Sequence, residues 1–290
     1  MRWEMGRRSS NVEDGRGASP MGRGVRAGGI GGLGIVAIAL VAMFLGVDPS
    51  IILNGLSGVG GDVSQPAAVP GTVNPAQEKE ADFVNAVLAQ TEDTWGDIFS
   101  QAGQQYVQPK LFLFDGQVNS ACGLAGAASG PFYCPADQKV YLDLSFFDEL
   151  DQRFGAPGDF ARAYVIAHEV GHHVQTLLGI SSKVSRARAQ ASEADANQLS
   201  VMMELQADCF AGVWARHTND RQKILEDGDI EEGLNAASAV GDDRIQKATR
   251  GYVVPDAFTH GSSQQRMRWF KQGLQTGDVN SFDTFQAQRL

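Results

Sequence analysis

The apolar positions of the chain follow two rhythms, a helical one and an alternating one, and a single uncharged run interrupts them near the front. Phe83, Val84, Val87 and Leu88, continued by Trp95, Ile98 and Phe99, recur at helical spacing and predict a helix over 77–105. Leu111 to Phe114 predicts a strand over 110–114, closed by the turn signal Asp115-Gly116. Segments 131–134 and 139–144 predict a hairpin around 135–138, because Val140, Leu142 and Leu144 alternate with Tyr141 and Asp143. Helical spacing returns at 160–178, with Asp159 as cap and Gly179 as stop. The polar, alanine-rich stretch 181–191 predicts no element, and a second long helix follows over 193–217. Shorter helices are expected at 229–239, with Asp229 as cap and Glu232 in the capping-box position, and at 242–249. A last helix is expected at 262–274, capped by Ser262 or Ser263, with Phe282 and Phe285 packing as a short final turn. The sum is an α+β chain, mainly helical, with a small antiparallel sheet.

The uncharged run, Ala27 to Val47, changes the organisation. About 20 apolar residues cross the hydrocarbon core as a helix. Residues 1–26 before it are polar, glycine-rich and basic, with six arginines against three acids. They are expected to be disordered and, by the positive-inside rule, cytoplasmic. A cleaved signal peptide is the rival, although the leader is long and no small-x-small cleavage site follows. Residues 48–75 are rich in Gly and Pro and read as a flexible linker. The expected organisation is therefore a basic segment (1–26), a transmembrane helix (27–47), a linker (48–75) and a catalytic domain (76–290). Net charge is −10, and the +3 of the first 26 residues leaves −13 for the remainder. Such an acidic domain argues against nucleic-acid binding, which needs cationic residues against phosphate.

Candidate chemistry centres on His168-Glu169-Val170-Gly171-His172. Residues four apart share a helix face, so His168 and His172 can aim two imidazoles at one ion. Glu169, one step round, is placed to take a proton from an attacking water. Zinc suits such ligands, since it accepts a four-coordinate site with one open position. The next long helix carries Glu204 and Asp208, also four apart. Glu204 is the candidate third ligand, and Asp208 the candidate acceptor for the free ring N–H of His168. Gly171 either lets another element approach closely or is a tolerated small residue. His173 lies about 100° round from His172, which leaves it a supporting or a surface role.

The motif pair resembles the zinc metallopeptidases whose third ligand is a glutamate. Longer strings are similar to one group, the bacterial neutral zinc metallopeptidase family. They are Arg2-Trp3, the run from Arg8 to Arg16, Gly130 to Pro135, Val140 to Leu144, and Phe258-Thr259-His260-Gly261-Ser262-Ser263. The resemblance covers nearly the whole chain and implies a zincin-like domain. Glutamate-liganded membrane zinc peptidases carry a later Thr-His-Pro segment with a downstream arginine. Thr259-His260 and Arg266 resemble it, with Gly261 in place of the proline. His260 is accordingly a candidate donor to the oxyanion or the substrate carbonyl, and Arg266 a candidate for ordering the loop or neutralising a nearby carboxylate. A cap or a solvent-facing residue is the plain alternative for His260.

Three cysteines complete the inventory. No C-x-x-C exists, which removes a zinc ribbon. Cys122 and Cys134 could bridge if the domain lies outside the cytoplasm, or stand as buried thiols. Cys209 reads as a small core hydrophobe. The expectation is a single-pass bacterial inner-membrane protein, its C-terminal domain outside the cytoplasm, hydrolysing peptides or proteins with Zn(2+). Two other readings stay open, a zinc-stabilised binding or chaperone-like module and a membrane-tethered scaffold without metal.

Overall fold

Residues 1–17, 75–287 and 290 are described by the computed structural model. The first long helix, α1 (Pro75–Gln101), buries Phe83, Val84, Val87, Leu88, Trp95 and Phe99, the stripe its spacing predicts. A four-stranded sheet follows, in the order β1-β2-β6-β5. Its strands are β1 (Val12–Asp14), β2 (Lys110–Phe114), β5 (Phe132–Cys134) and β6 (Lys139–Asp143). The hairpin pair β5/β6 is antiparallel, but β1/β2 and β2/β6 are parallel, so the sheet is mixed. Strands β3 (Gln117–Ser120) and β4 (Gly123–Gly126) form a separate antiparallel ribbon, for which the sequence pattern predicts no element. Alternation decides the two faces of the sheet. Leu111, Leu113, Val140 and Leu142 enter the main core, while Phe114, Tyr141 and Cys134 pack with Val118 of the ribbon. A disulfide joins Cys122, in the ribbon's turn, to Cys134 at the end of β5.

The remaining helices are α2 (Ser145–Gln152), α3 (Asp159–Leu177), α4 (Ile180–Arg188), α5 (Glu193–Gln222), α6 (Asp229–Ala239), α7 (Asp242–Arg250) and α8 (Ser263–Thr276). Helix α4 occupies part of the stretch expected to lack structure, and it buries a single apolar side chain, Val184. Two caps differ from expectation. Asp159 is the first residue of α3, and its carboxylate accepts from Trp3 Nε1 at 3.1 Å; the orphan N–H of Phe160 donates instead to Glu232 at 3.0 Å. Glu232 is thus drawn away from its own helix, and Asp229 makes no cap there. Ser262 does cap α8, in a reciprocal capping box with Gln265. Helices α5 and α8 cross at backbone contact. A Cβ on Gly212 would lie 2.1 Å from the Phe270 carbonyl oxygen, and one on Gly273 would lie 1.9 Å from that of Cys209. Any side chain at either position would push the helices apart.

The first 17 residues overturn the expected topology. Trp3 is 3% exposed and meets Phe83 edge-on at 5.4 Å, a burial worth roughly 1.5–3 kcal/mol. Arg7, Ser9 and Asn11 all donate to the buried Glu92 carboxylate, at 2.7, 2.5 and 2.8 Å. Strand β1 adds to β2, and its Glu13 bridges Lys110 and Lys139, both at 2.6 Å. Residues 1–17 of the segment expected to be disordered and cytoplasmic are therefore built into the same folded unit as the long helices. A single crossing at 27–47 would separate them. Ala27–Val47 and the linker lie outside the described residues, and among the described residues no helix is long and apolar enough to cross a membrane. The transmembrane helix, the inner membrane as partner, the single-pass localisation with an external C-terminal domain, and the membrane-anchored form of the peptidase are corrected accordingly. The Cys122–Cys134 bridge stands on its geometry and no longer on that topology.

Candidate metal centre

Helices α3 and α5 meet where their motifs lie. Gly171 makes the approach possible, because a Cβ there would be 3.0 Å from the Ala207 carbonyl oxygen and 3.1 Å from its Cα. The close-approach reading of Gly171 is the one the packing supports. An alanine would gain about 1 kcal/mol of helix propensity but would force a backbone contact that commonly costs about 1–3 kcal/mol.

Across this contact His168, His172 and Glu204 bring their ligand atoms within 4.8 Å of one another. His168 Nε2 is 3.1 Å from Glu204 Oε2, and His172 Nε2 is 3.3 Å from Glu204 Oε1. Tetrahedral bonds of about 2 Å place donors roughly 3.3 Å apart, so the spacing suits one small cation. The other ring nitrogens are committed. His168 Nδ1 donates to Asp208 at 2.8 Å, and His172 Nδ1 donates to Gln175 Oε1 at 2.8 Å. The Gln175 amide is itself oriented, its N–H groups going to the Met203 carbonyl at 2.7 Å and to Gln206 at 3.0 Å. Both imidazoles are thereby held with Nε2 turned inward, the arrangement metal-binding histidines use. Gln175 escaped the sequence reading, although its spacing of three from His172 on one helix was a usable signal.

Asp208 is fully buried and serves as a hub. It accepts from His168, from the Tyr164 hydroxyl, and from Arg266 through Nε and Nη2, both at 2.9 Å. Arg266 also donates to Tyr164 at 3.2 Å. Its guanidinium thus lies against the Asp208 carboxylate, whose charge it opposes. Glu169 is 8% exposed and accepts no hydrogen bond from any described residue. With both imidazoles neutral, as metal binding requires, three carboxylates (Glu169, Glu204, Asp208) against one guanidinium leave two negative charges at the site, which a divalent cation would balance.

The titrations express the same excess. Burial alone would depress His168, yet Asp208 and Glu204 outweigh it and push the ring up to about 9. Burial likewise opposes the charged form of His172, and Glu204 raises it. Burial raises Glu169, with the two histidines pulling against it. Burial also favours the neutral acid at Glu204, but the two histidines hold it well below the usual carboxylate range.

The chain matches, over residues 1–285, the model of a family described as "Putative neutral zinc metallopeptidase". The chain belongs to this family. It is accordingly a zinc metallopeptidase by class, and its cluster of two histidines and a glutamate could hold a metal ion, consistent with zinc use. Among relatives, the Escherichia coli K12 protein named "Uncharacterized protein YpfJ" is 51% identical over 98% of this chain and 99% of its own length. The Mycobacterium bovis protein named "Uncharacterized protein Mb2605" is 41% identical over 86% of each chain. No solved structure matches.

His260, His173, His217 and Tyr252 fall in four separate places. His260 lies in the loop before α8, half-exposed, with Nδ1 3.2 Å from Asp242 and 3.0 Å from Thr259 Oγ1. Partial desolvation opposes its charge, but Asp242 and Glu204 raise it above the ordinary histidine range, with Arg266 opposing. Gly261 has φ +89° and packs between Val201 and Leu205, a conformation closed to the proline of the Thr-His-Pro pattern. His173 is buried away from the cluster. It donates from Nε2 to the Val107 carbonyl at 2.6 Å, which leaves Nδ1 to accept from Tyr133 at 3.0 Å. His217 faces the Gly277 carbonyl at 2.7 Å, and Tyr252 is exposed.

Proposed function

We propose that the protein hydrolyses peptide bonds with a zinc ion held by His168, His172 and Glu204. The observation that carries this reading is the convergence of both Nε2 atoms on the Glu204 carboxylate, with each Nδ1 committed to a separate acceptor. Bound zinc supplies a Lewis acid for the carbonyl and lowers the pKa of water. The free carboxylate of Glu169 takes the proton from the attacking water and passes it to the leaving amine. Asp208 and Gln175 hold the two imidazoles in orientation, and Arg266 keeps Asp208 neutralised. Strand β5 is an edge strand, tied to α3 by the Tyr133–His173 bond. A peptide in extended form can add to that edge with its carbonyl near the metal helix. A binding or chaperone module has no use for a buried carboxylate that accepts from no described residue beside its metal ligands.

The test is mass spectrometry of a peptide library incubated with purified protein. New amino termini should appear, and a chelator should suppress them. A library left intact by zinc-loaded protein contradicts the reading.

His260 is assigned to the carbonyl oxygen, where it donates a hydrogen bond as negative charge develops. His260→Ala is expected to lower kcat by about 10²- to 10³-fold, the range for losing such a donor. Zinc content and Tm should hold. Unchanged kcat and kcat/KM would remove the residue from the mechanism.

A further inference from the structure

The loop that carries His260 is gathered on one side chain. Asp242, the first residue of α7 and 8% exposed, accepts the N–H groups of Thr259, His260 and Gly261 on Oδ2, at 2.8, 2.6 and 3.0 Å. Its own N–H returns a bond to the Gly261 carbonyl at 2.9 Å. Asp243 secures Ser263, two residues on, accepting from its N at 2.7 Å and its Oγ at 2.8 Å. The α6–α7 corner thus grips the segment between 259 and 263. The opposite side of the loop rests on α5. A Cβ on Gly261 would sit 3.2 Å from Val201 and 3.3 Å from Leu205, the turn that also bears Glu204.

A latch of this kind would need only Oδ2. The second oxygen, Oδ1, lies 3.2 Å from His260 Nδ1. A carboxylate only accepts, so Nδ1 carries a proton and donates it. The Thr259 hydroxyl at 3.0 Å can then act only as a second acceptor. Nε2 makes no bond to any described residue and remains the ring atom open to a substrate.

We propose that Asp242 is a positioning residue for peptide hydrolysis, fixing the rotation of His260 and balancing the charge of its doubly protonated ring so that Nε2–H serves the substrate carbonyl beside Glu204. Donation from Nε2 requires the doubly protonated ring, whose charge Asp242 balances. The charges facing this ring are Asp242 from α7, Glu204 from α5 and Arg266 from α8. The inference rests on the peptidase reading above, but its first test does not need turnover.

In metal-free, ¹⁵N-histidine-labelled protein, long-range ¹H–¹⁵N spectra of the neutral ring should place the His260 proton on Nδ1. In Asp242→Asn the amide oxygen can still hold the three backbone N–H groups. Its NH₂ then faces Nδ1, and the proton should move to Nε2. With substrate, kcat should fall about tenfold, because a charge-assisted hydrogen bond is replaced by a neutral one of about half the strength. KM should stay within a factor of two. A wild-type proton on Nε2 overturns the proposal, and so does unchanged kcat in a variant whose tautomer has flipped. Absence of peptidase activity in the wild type would remove the hydrolytic reading yet leave the spectroscopic result to be read, so the two failures are distinct. The wild-type spectrum decides the tautomer even if Asp242→Asn does not fold.

Discussion

Glu169→Gln is expected to reduce kcat by about 10²- to 10⁴-fold while leaving zinc content and fold intact. The amide matches the carboxylate in size, so α3 and its packing against Ala207 are undisturbed. What changes is basicity, since an amide takes no proton from water near neutral pH. Glu169 accepts no hydrogen bond from the described residues, so the substitution breaks none of their bonds. Its loss should therefore appear in turnover rather than in stability. Zinc measured on the same preparation separates loss of the base from loss of the metal. Wild-type kcat in a zinc-loaded Glu169→Gln sample would remove Glu169 from proton transfer.

Arg266→Met should be the most destabilising single change at the site, by about 3–5 kcal/mol. Arg266 is 4% exposed, and its partner Asp208 has no access to water. Removing the guanidinium leaves a carboxylate that burial alone would neutralise, held by His168 and Tyr164 only. Solvent cannot reach it easily, because α5 and α8 touch at Gly212 and Gly273 and have no slack to open. For a chain of this size each kcal/mol moves Tm by about 2–4 °C, so a drop on the order of 10 °C is expected in a thermal melt. Asp208→Asn added to Arg266→Met should restore much of the loss, since the pair interacts and its effects are not additive. An Arg266→Met melt superimposable on the wild type would show that Asp208 is compensated from elsewhere.

Elements whose burial has one strong period were legible in the sequence. Helix α1, strand β2 and helix α3 fall within a few residues of the predicted ranges, because each buries apolar positions that spacing along the chain reveals. The HExxH and E-x-x-x-D spacings placed His168, His172, Glu204 and Asp208 on facing helices for the same reason. What escaped depended on partners remote in sequence. Residues 1–17 read as a polar leader, but key side chains there have their mates elsewhere, as Arg7 and Asn11 have in Glu92 and Trp3 has in Asp159. Charge and glycine content cannot register such pairing. The capping box at Asp229 and Glu232 matched the local pattern and failed because the orphan N–H of Phe160, 72 residues away, takes the Glu232 carboxylate. Asp242 was invisible for a related reason. As the first residue of a short helix it looks like an ordinary favourable acid at a helix start, and only the fold brings it beneath His260.

Zinc stoichiometry of the ligand variants tests the central claim most directly. Wild-type protein dialysed against a competing chelator and reloaded should bind one equivalent of zinc and recover hydrolysis in step with it. His168→Ala, His172→Ala and Glu204→Ala should each lose that zinc under the same competition. Full occupancy in Glu204→Ala, or hydrolysis that persists after all zinc is removed, would contradict the account.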